Sequence, residues 1–591
     1  MIQLKSRWAQ EVSAEKVLPE YPRPGMVRDS FLNLNGNWEY CINQAPTTES
    51  YDGIVLVPFS PETLLSGIQK IVQPSDYLHY RKVFTLPAGF KKDRVILHFG
   101  AVDQECTVAV NGTVVGGHKG GYNAFSFDIT DQLTEGENVL TLTVQDATEQ
   151  KPHARGKQKL NRTGKWSSLF YTPQSGIWKT VWLESVAAEY IQKIQVTPLY
   201  DEQAIRLHVF ANGEKTAKVT VLDEGRVVVE AEVPVNSDQV IALGECKAWT
   251  PDTPHLYDLK VAYGEDAVDA YFGMRKFEVS KDSQGILRFF MNNEPVFFNG
   301  VLDQGYWPES LLTAPTEEAL KYDIVKLKEL GFNMIRKHIK VEPDRFYYLC
   351  DKIGMFVWQD MPNGGGDYDM LFVTELTNAY DWIARNVTDD HYAWFMRDDA
   401  EGRAQYYEDL QGMIEELYNH PCIATWVPFN EGWGQFDANK ATELIRRLDP
   451  TRFINEACGW FDQHGGDMYS IHNYSAGLEI QAQPDRVVAL TEFGGYAYAM
   501  PGHLACEKEF GYKSYHSKEE LTENYKRLWE DEIYPNVERG MCSTVYTQTS
   551  DIEEEINGIF TYDRDEVKLL EPVVQELNQK LYQVFAEKVT K

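Results

Sequence analysis

Apolar positions along the chain keep two different rhythms, and the change comes near residue 281. Before it, short runs alternate apolar and polar side chains with a period of two, the pattern of half-buried strands. Examples are RVILHFGAV (94–102), ECTVAVNGTVVG (105–116), AFSFDIT (124–130) and NVLTLTVQD (138–146). Asn111-Gly112 stands between two Val-rich runs, and an Asn-Gly pair supplies the positive φ angles of a tight hairpin. Residues 1–186 are therefore expected to form a jelly-roll-like β-sandwich. Residues 187–280 continue the alternation over about the length of one immunoglobulin-like sandwich, with FGMRKFEV (272–279) as its last strand.

From residue 281 to 591 apolar strand runs alternate with helical spacing. Strands are expected at 296–301, 332–339, 355–360, 423–431, 452–458, 468–474, 486–494 and 543–548. Leu320, Ile324, Leu327 and Leu330 recur at helical intervals, as do Leu410, Ile414 and Leu417. Pro343 suits the first turn of a helix reaching Ile353, where its missing N–H costs nothing. Eight strands alternating with helices predict a (β/α)8 TIM barrel. An open doubly wound sheet would call for a Gly-rich phosphate loop after an early strand, and none is present. The stretch 361–405, with GGGDYDMLF and DDHYAWFMRDD, is long for a barrel connection and is expected to shape substrate access.

Composition narrows the partners. The formal net charge of −32 repels polyanions, which argues against nucleic acid and anionic membrane surfaces. Aromatic residues reach 13%, a density that suits sugar sites as well as Tyr- and Phe-rich sheets. The first residues lack the apolar core of a signal peptide and no apolar run approaches a membrane span, so a cytoplasmic location is expected. The eight Cys follow no CxxC or Cys/His spacing and read as buried, reduced thiols. Neither a metal nor an organic cofactor is expected. A homo-oligomer is compatible with the sequence.

Catalytic groups of a TIM barrel stand at the C-terminal ends of its strands. That rule selects Glu431, in WVPFNEGWG (426–434), and Glu492, in VVALTEFGG (487–495). Glycoside hydrolysis with retention needs such a pair: one carboxylate to trap the anomeric carbon, one protonated carboxyl for the leaving oxygen. Glu431 follows Asn430, whose amide suits a sugar 2-hydroxyl, and it lies between Trp426 and Trp433, whose apolar surroundings would keep it protonated. Glu492 is the expected nucleophile, kept ionised by a cation such as Arg336 or His338.

The chain resembles glycoside hydrolase family 2, the family of β-galactosidases, β-glucuronidases and β-mannosidases. The resemblance runs through PRPGMVR (22–28), LNGNWEY (34–40), VPFSPE (57–62), AVDQECTVAVNG (101–112), GGYNAFSFDIT (120–130) and GIWKTVWLE (176–184), and on to the two glutamates. It implies the order sandwich, immunoglobulin-like domain, catalytic barrel, with Glu431 as acid/base and Glu492 as nucleophile. Tyr474, in SIHNY (470–474), matches a family Tyr beside the nucleophile, and His472 lies two residues before it, on the same strand face. His338, in NMIRKHIK (333–340), resembles the family's second-strand Arg and His. Asp360 ends the third strand and is a candidate for a sugar hydroxyl or for capping a loop.

The family's β-glucuronidases grip the uronate carboxylate with an Asn-x-Lys near the eighth strand. In EEEINGIFTYDR (553–564) those places hold Glu555 and Asn557, and an anion there repels a carboxylate. The expected activity is a retaining exo-β-glycosidase acting on a small carbohydrate or glycoside, a β-galactosidase by family base rate. β-Mannosidase, β-glucosidase and arabinosidase stay open, as does a catalytically inactive carbohydrate-binding relative. A metal-dependent hydrolase or an aldolase would need a His/Asp cluster or a Schiff-base Lys at a strand end, and neither motif is seen.

Overall fold

The computed structural model describes residues 3–475 and 477–589. Its N-terminal part is a pair of antiparallel sheets sharing one core. Six strands run in the order 53–57, 36–43, 77–85, 137–145, 105–110 and 113–119, and four in the order 32–33, 181–186, 94–99 and 125–128. Their inward positions, among them Trp38, Leu97, Val108 and Leu140, form a single apolar cluster. At the Asn-Gly turn both residues adopt positive φ, 50° and 80°, so Val110 can face Thr113 across the hairpin.

A second all-β unit follows with its own core. One sheet contains Ile191–Leu199, Ala204–Ala211 and Asp238–Ala242; the other contains Arg226–Pro234, Thr216–Asp223, Tyr257–Tyr263 and Asp266–Phe272. The expected strand 272–279 does not form as one piece. Asp266–Phe272 ends the sheet, and Gly273 has no room for a side chain, since a Cβ would stand 2.9 Å from Pro421. Phe277–Lys281 instead pairs with Leu287–Met291 in a small sheet, whose Phe289 packs on Phe298, Phe453 and Trp358.

The barrel strands are β1 (Phe298–Asp303), β2 (Met334–Lys337), β3 (Phe356–Asp360), β4 (Ile423–Val427), β5 (Phe453–Ile454), β6 (Met468–Asn473), β7 (Val487–Gly494) and β8 (Met541–Thr547). They pair in parallel in the order β5-β4-β3-β2-β1-β8-β7-β6, which leaves the barrel nearly closed, with β5 and β6 not paired to each other among the described residues. After a break at Pro428, which has no N–H for the ladder, β4 resumes as Phe429–Asn430. This pairs with Ala457–Cys458, the continuation of β5. Helix α1 (Glu317–Glu329) starts where the Thr316 hydroxyl accepts from Ala319 N–H, and it buries Leu320, Ile324 and Leu327. Helix α2 (Asp344–Ile353) begins just after Pro343 and buries Phe346, Tyr347 and Leu349, and helix α3 (Ala400–Leu417) buries Leu410, Ile414 and Leu417 as their spacing predicts.

The stretch 361–405, long for a barrel connection, is partly helical. It carries helical turns at Leu371–Leu376, Asp381–Asn386 and Tyr392–Phe395. Tyr368 and Val373 from this stretch pack with Leu169 and Phe170 of the first sandwich and with Trp433, walling one side of the barrel mouth. All eight Cys are unpaired, but Cys246 and Cys506 are half-buried rather than buried. Among the described residues no helix is long and apolar enough to cross a membrane.

Arg28 joins the two sandwiches. It is buried, donates from NH1 to Glu184 at 2.7 Å, and binds Asp266 through Nε at 3.0 Å and NH2 at 2.9 Å. Glu184 keeps Arg23 if Arg28 is lost, whereas Asp266 is left buried with only the Ile191 N–H. Arg28→Met is expected to cost about 3–5 kcal/mol, seen as a lower urea midpoint. Adding Asp266→Asn should recover much of the loss.

Candidate active site

The rule that selected Glu431 and Glu492 places them at one end of the barrel, and the geometry brings them together. Glu431 follows the Phe429–Asn430 extension of β4, and Glu492 lies in the last turn of β7. One oxygen of each carboxyl and one ring nitrogen of His472 all lie within 4.8 Å of one another. Glu431 has φ 51°, a left-handed conformation that costs a non-glycine residue of order 1 kcal/mol and collects at functional sites. Its N–H donates to Cys458 O at 2.8 Å, and its own carbonyl accepts from the Trp460 indole at 3.0 Å.

Arg336, at the mouth end of β2, is fully buried and ties four groups together. It grips both oxygens of Asp360 at 3.0 and 2.9 Å, donates to Glu492 Oε1 at 3.0 Å and Thr491 O at 3.1 Å, and holds Asn430 Oδ1 at 2.8 Å. Because Arg336 occupies the Asn430 oxygen, the amide N–H groups are turned the other way, free to donate. Asp360 is 1% exposed; besides Arg336, one of its oxygens receives His338 Nδ1 at 2.8 Å. The sequence left Asp360 between a sugar hydroxyl and a loop cap, and the structure makes it the counter-ion of Arg336. Trp426 turns away from Glu431 and donates to Asp449 at 2.9 Å.

His472 stands between the two carboxyls. Its Nδ1 is 2.7 Å from Glu431 Oε1 and 3.5 Å from Glu492 Oε2, while Nε2 faces Cys458 Sγ at 3.2 Å. The Tyr474 hydroxyl makes a short hydrogen bond to Glu492 Oε2 and lies 3.0 Å from Thr547 Oγ1. Tyr474 stacks on Tyr512 with ring centres 3.8 Å apart.

The environments push the two carboxyls in opposite directions. Burial raises Glu431, the charge of Glu492 adds to it, and the hydrogen bond from His472 only partly opposes them. Burial would raise Glu492 too, but His472 and Arg336, with the Tyr474 hydroxyl, reverse this and bring it down to about 2. Burial opposes the charge of His472, yet Glu492 and then Cys458 and Glu431 hold it protonated up to about 10. His338 goes the other way: burial, Lys157 and Arg336 keep it neutral. The result is a carboxyl that holds its proton to higher pH than usual beside one that ionises readily, with a proton-bearing imidazole between them.

Glu431, His472 and Glu492 also have the spacing of a metal triad. The donor set does not suit one, because His472 would have to give up its proton and the Arg336 guanidinium would sit beside a divalent cation. A cavity of about 400 Å³ opens elsewhere, between the sandwiches and α2, lined by residues such as Arg23, Trp182 and His420, and holds neither carboxyl.

Tyr512, Trp460 and Cys458 were not singled out in the sequence. Tyr512 lies in the segment after β7, and the rule that connections after barrel strands build the mouth was the available signal. Cys458 had none, since a lone Cys at a strand end reads as core.

Comparison with known proteins agrees with this architecture. The family description "Glycosyl hydrolases family 2, TIM barrel domain" matches residues 286–583, the family's galactose-binding domain-like description matches 65–180, and a third family 2 description matches 189–275. A β-galactosidase of Thermoanaerobacter pseudethanolicus is 27% identical over 80% of this chain, which spans 62% of that relative's length. A β-glucuronidase of Streptococcus agalactiae is 22% identical, over 82% of this chain and 85% of its own. Among solved structures, a β-glucuronidase from an uncultured Clostridium species superposes with a TM-score of 0.71 at 20% identity, covering 94% of this chain and 98% of that one.

The charge on His472 has a consequence for stability. With a folded value of about 10 against an ordinary 6.5, its contribution is fully present below pH 6.5 and is lost as pH rises toward 10. His420, bridging Asp344 and Asp351, titrates over the same range. The stability difference between wild type and His472→Gln, measured by urea unfolding, is therefore expected to shrink between pH 6.5 and 10. A difference that stays constant over this range would mean that His472 is not held as a cation.

Proposed function

The chain belongs to glycoside hydrolase family 2, and from that premise we propose a retaining exo-β-glycosidase in which Glu492 is the nucleophile and Glu431 the acid/base. The observation that carries this reading is the pair of carboxyls, close together and shifted in opposite directions by their surroundings. Retention asks for a separation of about 5 Å, whereas inversion asks for about 6.5–9.5 Å to admit a water; the closest oxygens here lie within 4.8 Å.

In this mechanism Glu492 attacks the anomeric carbon as Glu431 protonates the departing oxygen, forming a glycosyl ester on Glu492. Glu431, now ionised, takes a proton from water, and the water oxygen displaces Glu492 from the same face that the aglycone left. His472 suits both halves, since its Nδ1–H can follow the negative charge as it moves between the two carboxyls. Arg336 keeps Glu492 ionised and fixes the Asn430 amide, whose free N–H groups are placed for the 2-hydroxyl. Asp360 orients Arg336 and His338. The wall of Phe170, Tyr368 and Trp433 closes one side of the mouth and favours a pocket that takes a terminal sugar.

The first candidate for that sugar is galactose. Glu555 is 2% exposed, accepts from Tyr171 and Asn557, and lies close enough to Tyr512 for its charge to be felt there. A buried anion behind this wall disfavours a uronate. The match to the S. agalactiae β-glucuronidase over most of both chains makes a uronide the second reading.

Nitrophenyl glycosides of galactose, glucose, mannose, glucuronate and arabinose separate these readings. The galactoside is expected to turn over fastest, and a faster glucuronide would replace it. Glu492→Ala is expected to lower kcat by about 10⁴-fold or more. Glu431→Ala should lose about 10²–10⁴-fold on poor leaving groups and far less on a dinitrophenyl glycoside, which needs no proton. Azide should rescue the two variants with opposite product anomers, and the same anomer from both would refute the assignment. The pH profile should show no acid limb from Glu492 until pH nears about 2, with an alkaline limb above the ordinary carboxylate range as Glu431 loses its proton.

A further inference from the structure

The segment after Asp146 leaves the first sandwich and crosses to the barrel mouth. Arg155 and Gly156 donate their backbone N–H groups to Asn363 O at 2.9 and 3.0 Å, and the Arg155 guanidinium reaches Gly365 O at 2.5 Å and Gly366 O at 2.9 Å. Gly156 has φ 63°, and a Cβ there would stand 2.9 Å from Ile339 O, one residue past His338. The chain is thus pressed against the end of β2, and the next side chain, Lys157, enters the mouth.

Lys157 is 8% exposed, with Nζ 5.6 Å from the Trp433 ring centre and 5.8 Å from that of Tyr171. Among the described residues its ammonium makes no hydrogen bond and no ion pair. The other buried lysines do: Lys337, Lys340 and Lys568 bind carboxylates, and Lys179 binds Tyr122 O. Trp433, whose ring the ammonium faces, lies two residues after Glu431, and the charge of Lys157 acts on both Glu431 and His338. The stem of Lys157 is buried, and its ammonium faces two aromatic rings with no carboxylate or carbonyl of the described chain to receive its protons, so its donors are left for a partner from outside the chain.

We propose that Lys157 is a sugar-binding residue lent to the barrel by the first sandwich, donating to an oxygen substituent of the sugar held between Glu431 and Glu492. This rests on the glycosidase reading above. The acceptor is a hydroxyl in a neutral sugar or a carboxylate in a uronide, and the two sources are separable by experiment. The competing role is structural, a cationic strut under Trp433.

The test compares wild type with Lys157→Met and Lys157→Gln on nitrophenyl galactoside and glucuronide, with thermal unfolding of each protein. For the substrate that wild type prefers, kcat/KM is expected to fall about tenfold or more. Tm should stay the same, because the substitution removes no hydrogen bond or ion pair seen among the described residues. Equal loss on both substrates identifies a hydroxyl acceptor; loss confined to the glucuronide identifies a carboxylate. Unchanged kcat/KM in the variants overturns the proposal, and so does a fall in Tm and activity together in both, which marks a strut. A wild type that cleaves no glycoside of the panel removes the glycosidase reading and this proposal with it, whereas normal wild-type turnover with unaffected variants removes Lys157 alone.

Discussion

A guanidinium cannot shed its proton to escape a dry environment, so one buried without water must be surrounded by anions and carbonyls. Arg336 is in that position at the end of β2, and its neighbours follow from it. Asp360 neutralises it through two parallel bonds, Glu492 shares the remaining charge, and Asn430 turns its oxygen inward to serve as an acceptor. Each of these residues ends a different barrel strand. The hub therefore sets the relative positions of β2, β3, β4 and β7 as well as the ionisation of Glu492.

Around that hub the charges alternate. Glu492 is the anion between Arg336 and His472, and His472 is the cation between Glu492 and Glu431. Glu431 comes last in the row: it shares His472 with Glu492 and lacks a guanidinium, so burial and the charge of Glu492 outweigh the imidazole and raise its carboxyl above the ordinary range. Two chemically identical side chains are shifted in opposite directions, and the one bonded to the arginine is the one brought down. The left-handed backbone at Glu431 and the close packing of Gly432 against Phe461, where a Cβ would stand 2.4 Å from the ring, are what hold that last member in place.

The first sandwich takes part in the same construction. Its loop covers the barrel mouth with Phe170 and Tyr171, and its strands are bolted to the second sandwich through Arg28. A barrel alone would present the two carboxyls at an open rim. With the loop clamped to Asn363 and its neighbours, the rim has a wall, and side chains distant in the chain share one pocket.

Much of this was legible in the sequence. Period-two alternation marked the strands of both sandwiches, the Asn-Gly pair marked a hairpin, and apolar runs closed by Glu431 and Glu492 marked the mouth of a barrel. These are local consequences of backbone geometry and of burying one face, so they are written in consecutive residues. The misreadings were also local: 272–279 looked like one strand because its composition does not show that Gly273 meets Pro421. What only the tertiary structure decided was how distant charges face one another. Asp360 became the counter-ion of Arg336, His472 came between two carboxyls, and Lys157 came against Trp433 from another domain. Pairing energies depend on distance and burial, which no single stretch of chain contains. The sequence by itself determined which side chains reach the rim, and folding determined which of them carry a proton there.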